Sequence, residues 1–220
     1  MRGCVIFFFI GLIASLIVSY CSDDSSEESS SVPSVQQESN GGPAEEEAEE
    51  EEEEFYEPEE PVDYPSVPIG DMIWTSVNIS DADDGSFCYD DAPSCAQKGR
   101  LYTWYAAKRA CGTGWHLPTQ EEFEKLREAM GEAPGRKLKS DQTWESATGL
   151  DSFGFTAYAT GFRDESGEYL MAGENAYFWT STEVNDMRAV RFTLSDRTDQ
   201  FVRGTDKKSI ALSVRCVKGD

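Results

Sequence analysis

The chain has 220 residues, with 42 Asp/Glu against 19 Lys/Arg and a single His, for a net charge of −23. No basic stripe able to neutralise a phosphate backbone is present, which excludes a nucleic-acid-binding protein. The acid is unevenly placed: residues 22–66 hold 18 Asp/Glu and no Lys or Arg, whereas residues 67–220 carry 24 acidic against 18 basic side chains.

Arg2 followed by an apolar run from Val5 to Tyr20 predicts a secretory signal over residues 1–20. The run falls short of the about 20 apolar residues a membrane-spanning helix needs. Cys21 follows directly after Val18-Ser19-Tyr20, a junction similar to a bacterial lipoprotein cleavage site, with Tyr20 where that pattern has a small residue. The expectation is a lipidated Cys21 that holds the chain to a membrane, with an uncleaved anchor or plain secretion as alternatives. Each of these places the rest of the chain outside the cytoplasm. Cys21-Ser22-Asp23-Asp24 also resembles the acidic export signals that carry lipoproteins to the outer face of a Bacteroidetes-type outer membrane, so the expected location is the cell surface.

Residues 21–66 read as a tether. The Glu run from Glu45 to Glu54 repels itself and has no apolar area to bury, so the segment is expected to be disordered. At about 5–6 Å × √n such a chain spans roughly 35–40 Å before charge repulsion extends it. An acidic arm for cations or a basic partner is the functional alternative, and a spacer is the reading preferred here.

Residues 67–220 contain all five Trp and suit one domain with one core. Met72–Ile79 predicts a strand with Ile73, Val77 and Ile79 on one face, and Leu101, Trp104, Ala107 and Cys111 recur at helical spacing. Thr119-Gln120-Glu121-Glu122 is a capping box ahead of an apolar stripe, Phe123, Leu126 and Met130, that Gly131 ends. Beyond Gly154 the period becomes two: Phe155, Ala157 and Ala159, then a turn at Asp164–Gly167 into Tyr169–Met171. Val190, Phe192 and Leu194 alternate next, and after them Ile210, Leu212, Val214 and Cys216. Two early helices followed by antiparallel strands make an α+β fold.

Cys4 leaves with the signal and Cys21 is the proposed lipid site, so Cys88, Cys95, Cys111 and Cys216 remain, with three pairings open to them. Cys88 and Cys95 flank a turn-rich loop that could close locally; Cys111 would then join the end of an early helix to Cys216 on the last strand. In the chain-entropy treatment the short loop is worth about 2.5 kcal/mol and the long one about 4.7 kcal/mol. No CxxC pair is present, so zinc is not the preferred reading.

Four motifs occur in order: Gly99-Arg100-Leu101-Tyr102-Thr103-Trp104, Cys111-Gly112-Thr113-Gly114-Trp115-His116-Leu117-Pro118-Thr119, Phe178-Trp179-Thr180-Ser181-Thr182-Glu183 and Ser213-Val214-Arg215-Cys216-Val217. Together they resemble the Fibrobacter succinogenes major paralogous domain, a family of surface and secreted modules, over about residues 68–218. The resemblance implies a C-type-lectin-like or sulfatase-modifying-factor-like α+β fold. In such folds a disulfide from a helix to the last strand is common, in agreement with a Cys111–Cys216 pair.

His116 is the only histidine, so any His-dependent triad has to use it. Its place before the cap Thr119 reads as structural, with the ring hydrogen-bonded to nearby backbone. Formylglycine-generating enzymes, which share the implied fold, use a close cysteine pair near the domain end, where Cys216 stands alone. Glu121, Glu122 and Glu124 sit in a helix first turn, where the macrodipole accounts for them without hydrolase chemistry. Asp81–Ser86 resembles a calcium loop but has Gly85 at a ligand position and Ala92 at the closing one. Calcium-lectin signatures are missing too, because Asn185-Asp186 has no preceding Trp. No catalytic residue, metal or cofactor is therefore implied.

The late strands offer the remaining surface: Tyr177, Trp179, Arg188, Arg191, Arg197 and Arg203 combine flat apolar faces with planar donors. The competing reading puts Phe178 and Trp179 in the core and the arginines on a solvated sheet face, and no individual ligand contact is assigned. The expected function is a non-catalytic binding or adhesion domain for extracellular polysaccharide or a surface protein. A structural envelope scaffold is the alternative, and a hydrolase ranks last.

Overall fold

The computed structural model describes residues 60–89, 95–146 and 148–219. The expected signal, Cys21 and the tether as far as residue 59 lie outside the described residues, as does the middle of the Cys88–Cys95 loop.

In chain order, β1 (Ser66–Ile69) and β2 (Met72–Thr75) form a hairpin, then come β3 (Ser86–Phe87), α1 (Cys95–Lys98), β4 (Leu101–Thr103), α2 (Trp104–Ala107) and β5 (Trp115–His116). The helices α3 (Gln120–Met130) and α4 (Pro134–Leu138) precede β6 (Thr160–Arg163), β7 (Tyr169–Ala172), β8 (Asn175–Asn185), β9 (Arg188–Ser195), β10 (Thr198–Lys207), β11 (Ala211–Ser213) and β12 (Val217–Lys218). The fold is α+β, with mostly antiparallel sheets and short helices. A four-stranded sheet runs β1-β2-β12-β5, and an eight-stranded one runs β10-β9-β8-β6-β11-β4-β3 with β7 on β6. Both ends of the domain therefore share a sheet, with Val217 opposite Trp74 and His116.

The capping box forms: Thr119 accepts from the Glu122 backbone N–H and the Glu122 carboxylate accepts from the Thr119 N–H, with Gly131 at φ 61° closing α3. Its stripe, Phe123, Leu126 and Met130, is buried against the even-numbered face of β8 and β9, where Ala176, Phe178, Val190, Phe192 and Leu194 meet Trp74, Phe155 and Phe201. Phe123 packs on Phe192 at 5.1 Å and on Trp74 at 5.0 Å, and burying one such side chain is worth about 2–3 kcal/mol. A second core covers the other face, with Tyr102, Trp104, Trp115, Trp179, Leu212, Val214 and Cys216. The eight-stranded sheet is thus buried on both sides at its centre. That is why Phe178 and Trp179, adjacent in sequence, are both fully buried.

Three expected patterns differ. The strand after Met72 stops at Thr75, and its inward residue is Trp74 (0% exposed), while Ile73 faces out at 40%. The indole has more apolar area to hide and finds Phe123 and Phe155 on that side. The stripe that begins at Leu101 is not one helix. Leu101–Thr103 pair with both β11 and β3, so only Trp104–Ala107 turn helically. Phe155, Ala157 and Ala159 are buried in alternation as expected, yet Thr156 takes φ 49° and only a bridge, Lys139 to Ala157, forms.

The link between β11 and β12 carries a buried cation. Arg215 is fully buried and donates from Nε to Asn78 Oδ1 (2.7 Å), from Nη1 to Thr75 O (2.7 Å) and from Nη2 to Thr156 O (2.9 Å). Its guanidinium also lies 4.4 Å over the Phe155 ring. Burial pushes its pKa down to about 9, which leaves it charged at neutral pH. One side chain so ties the last strands to β2, to the loop beyond it and to the 155–157 segment.

Candidate functional site

The residues singled out in the sequence fall in several places. Cys88 joins Cys95 and Cys111 joins Cys216, with Cα separations of 5.3 and 5.9 Å. His116 lies on β5, between the carbonyl of Gly219 and the carboxylate of Glu122. Asp83 to Ser86 form a plain turn: the Ser86 hydroxyl donates to Asp83 O, and Gly85 takes φ 83°. Asn185 caps the β8–β9 turn, where its Oδ1 accepts from the backbone N–H of Met187 and Arg188.

The six late-strand residues are not one surface. Trp179 is core, and its Nε1 donates to Tyr102 O at 2.9 Å. On the same side of the sheet, Tyr177 is half-buried beside Phe162 at 5.4 Å and takes a hydrogen bond from Asn175 Nδ2 at 2.9 Å. Burial raises the pKa of its phenol. Arg191 lies flat between the Tyr177 ring (5.1 Å) and the backbone of Gly204, where an added Cβ would meet Nη1 at 2.8 Å. Its Nε donates to Asp206 Oδ2 at 2.7 Å, and its Nη1 donates to Thr193 Oγ1. Arg188 Nη2 donates to Thr205 O (2.7 Å), and Arg197 pairs with Glu174 (3.0 Å). Arg203 projects from the edge strand into solvent. Apart from Arg203, these arginines are committed to the sheet's own acceptors, so the face is rigid and internally paired.

A different cluster projects apolar surface to solvent. Tyr105 on α2 is 57% exposed and Met187 at the β8–β9 tip is 73% exposed, with Val184 (48%) on the same hairpin. Lys208 joins them. Its backbone N–H donates to Met187 O at 2.9 Å, and its ammonium sits 4.4 Å from the Trp104 ring and 5.6 Å from the Tyr105 ring. The ammonium also bonds Glu183 Oε1 at 3.0 Å. Lys108 approaches the same indole at 4.9 Å. The result is an aromatic ring braced from beneath by a buried cation, with a carboxylate and an amine at its rim. Such a platform can stack on a flat apolar face and hydrogen-bond around it. Tyr105 lies off the 101-104-107-111 stripe, and an aromatic residue outside the buried face of a helix is the sequence signal that would have found it.

An open cleft of about 450 Å³ lies between the end of α3, the Ala133–Pro134 turn and Gln200. It is lined by the charged side chains of Arg127, Glu128 and Glu132. Among the described residues, no three His, Cys, Asp or Glu side chains gather to hold a metal. Among the same residues, no helix is long and apolar enough to cross a membrane.

Residues 35–218 match the family described as the Fibrobacter succinogenes major domain. No curated protein and no solved structure matches the chain.

Proposed function

The chain belongs to the Fibrobacter succinogenes major domain family, and from that premise we propose that it is a lipid-anchored, surface-exposed protein presenting a non-catalytic, C-type-lectin-like binding domain. Its ligand is extracellular polysaccharide or a surface protein. The observation that carries the reading is the Tyr105 platform, in which Tyr105 and Met187 stand exposed beside Lys208, whose ammonium pairs with Glu183. The lectin-like fold draws support from β2 and β12 pairing in one sheet and from the bridge between Cys111 and Cys216. The anchor draws support from the apolar run that ends at Cys21.

The test is binding of the full chain, in non-ionic detergent, to a panel of plant and bacterial polysaccharides, with calcium and with chelator. Saturable binding that Tyr105→Ala abolishes, at an unchanged melting temperature, supports the reading. Tyr105-dependent capture of an envelope protein with no polysaccharide bound assigns the surface-protein ligand instead. Binding that ignores the substitution overturns the platform, and no partner of either kind favours an envelope scaffold. For the anchor, Cys21→Ser is expected to move the protein out of the membrane fraction; an unchanged fraction would sink that claim.

A further inference from the structure

Arg163, at the end of β6, is a half-buried cation with no acceptor among the described residues. Its Nε is buried with no hydrogen-bond partner among the described residues. No carboxylate among them pairs with it, although the domain is rich in acid. The neighbouring carboxylates are engaged elsewhere. Asp164 Oδ1 accepts from Ser166 Oγ and from the Glu168 N–H, and Glu165 binds Lys207 and Ser209. A guanidinium carries five N–H donors, and an unpaired buried one is rare enough to require an explanation.

The surroundings supply one. The Arg163 guanidinium carbon lies 4.0 Å over the Phe87 ring and 5.8 Å from the Tyr169 ring, and Tyr89 packs on Tyr169 at 4.9 Å. Phe87 comes from β3 at one end of the sheet and Tyr169 from the β6–β7 hairpin, so rings from two separate elements lie against the guanidinium. At the hairpin turn Gly167 (φ 95°) packs directly against Nη2, where an added Cβ would sit 2.7 Å from it. The cluster is therefore a planar donor fork set among aromatic rings, and Arg163 stays half-exposed.

We propose that Arg163 seats the carboxylate of a uronic-acid residue in an acidic polysaccharide, with Tyr169 and Tyr89 offering the flat surface on which the sugar ring packs. The fork geometry matches a carboxylate bidentately, which a phenol or an ammonium would not do. Aromatic faces beside the fork fit a pyranose ring better than the flexible backbone of an acidic peptide. This inference rests on the binding reading above but uses different residues from the Tyr105 platform.

The test titrates the full chain in non-ionic detergent, at about 0.15 M salt, where a Debye length of about 8 Å screens the acidic N-terminal segment. The probes are oligogalacturonate, its methyl ester and a neutral cello-oligosaccharide. Saturable binding of oligogalacturonate is expected, lost on esterification and weakened about tenfold or more by Arg163→Gln. Arg163→Lys keeps the charge and the fold but loses the fork, and is expected to recover only part of the affinity. Equal binding of the acid and its ester, or unchanged binding in both variants, overturns the proposal. Binding of the neutral probe alone, sensitive to Tyr105→Ala, overturns it as well while leaving the binding reading intact.

Discussion

His116 Nε2 lies 2.8 Å from Glu122 Oε1, and the opposite ring nitrogen, Nδ1, lies 2.9 Å from Gly219 O. A carboxylate and a carbonyl can only accept, so both contacts are hydrogen bonds only when the ring carries two N–H groups. Burial by itself would depress the His116 pKa, but the Gly219 carbonyl and the Glu122 carboxylate together raise it. Burial likewise pushes Glu122 up, and its bonds to Thr119 and His116 bring it below the ordinary value. One imidazolium so clasps the end of the chain to the N-terminal cap of α3.

The clasp predicts a pH-dependent stability. A raised histidine contributes fully below about pH 6.5 and loses that contribution as pH rises through its folded pKa. A lowered glutamate contributes fully above about pH 4.5 and loses it as pH falls through its folded pKa. Both are present between about pH 5 and 6.5. There His116→Ala is expected to cost about 1–2 kcal/mol, and less than half of that near pH 9. Urea midpoints of wild type and variant across this range decide it, and a cost independent of pH would refute the imidazolium.

Arg215 predicts a larger effect. Arg215→Lys keeps a charge in the core but cannot reach Asn78 Oδ1, Thr75 O and Thr156 O together. Stranding buried acceptors in this way is expected to cost about 3 kcal/mol. Chemical denaturation measures it, and a loss below about 0.5 kcal/mol would mean that the three bonds do not set the strand positions.

The Cys111–Cys216 bridge spans 105 residues. The chain-entropy treatment assigns it about 4.7 kcal/mol, so reduction or Cys111→Ala is expected to lower the melting temperature by about 10 °C or more. Calorimetry with and without reductant provides the measurement. Peptide mapping that found Cys111 and Cys216 as free thiols would refute the pairing.

Two glycines separate space from strain. A Cβ at Gly149 would run into the backbone of Lys139 and Ser140, whereas at Gly131 it would meet nothing within 4 Å but would sit at φ 61°. Gly149→Ala is expected to cost about 3 kcal/mol and Gly131→Ala about 1 kcal/mol. Equal losses by thermal denaturation would contradict the packing of the 139–140 segment.

Part of this was legible in the order of the residues. The capping box at Thr119 and Glu122, the stripe Phe123-Leu126-Met130 and the alternation of Val190, Phe192 and Leu194 appear where the residues place them. The turn at Asp164–Gly167 does too, joining β6 to β7. The platform was not legible. Tyr105 is one aromatic among many until Lys208, far along the chain, slides beneath it. Arg163 is one arginine among many until Phe87 and Tyr169 wall it and no described carboxylate meets it.

By itself the sequence determined whatever is closed within a few residues: the charge segregation before residue 67, the cap and stop of α3, the Asp164–Gly167 turn and the alternation along β9. These follow from backbone geometry over one turn or one pleat, which neighbouring residues complete on their own. Only the tertiary structure decided which side of a strand is inside and which polar groups are satisfied. Trp74 rather than Ile73 turns inward because Phe123 and Phe155 wait there, and Trp179 is core because the sheet is covered on both faces. Arg215 is paired and Arg163 is not for a reason no local pattern encodes. Acceptors from Thr75, Asn78 and Thr156 converge on Arg215 from distant parts of the chain, while at Arg163 the described residues bring aromatic rings and no acceptor.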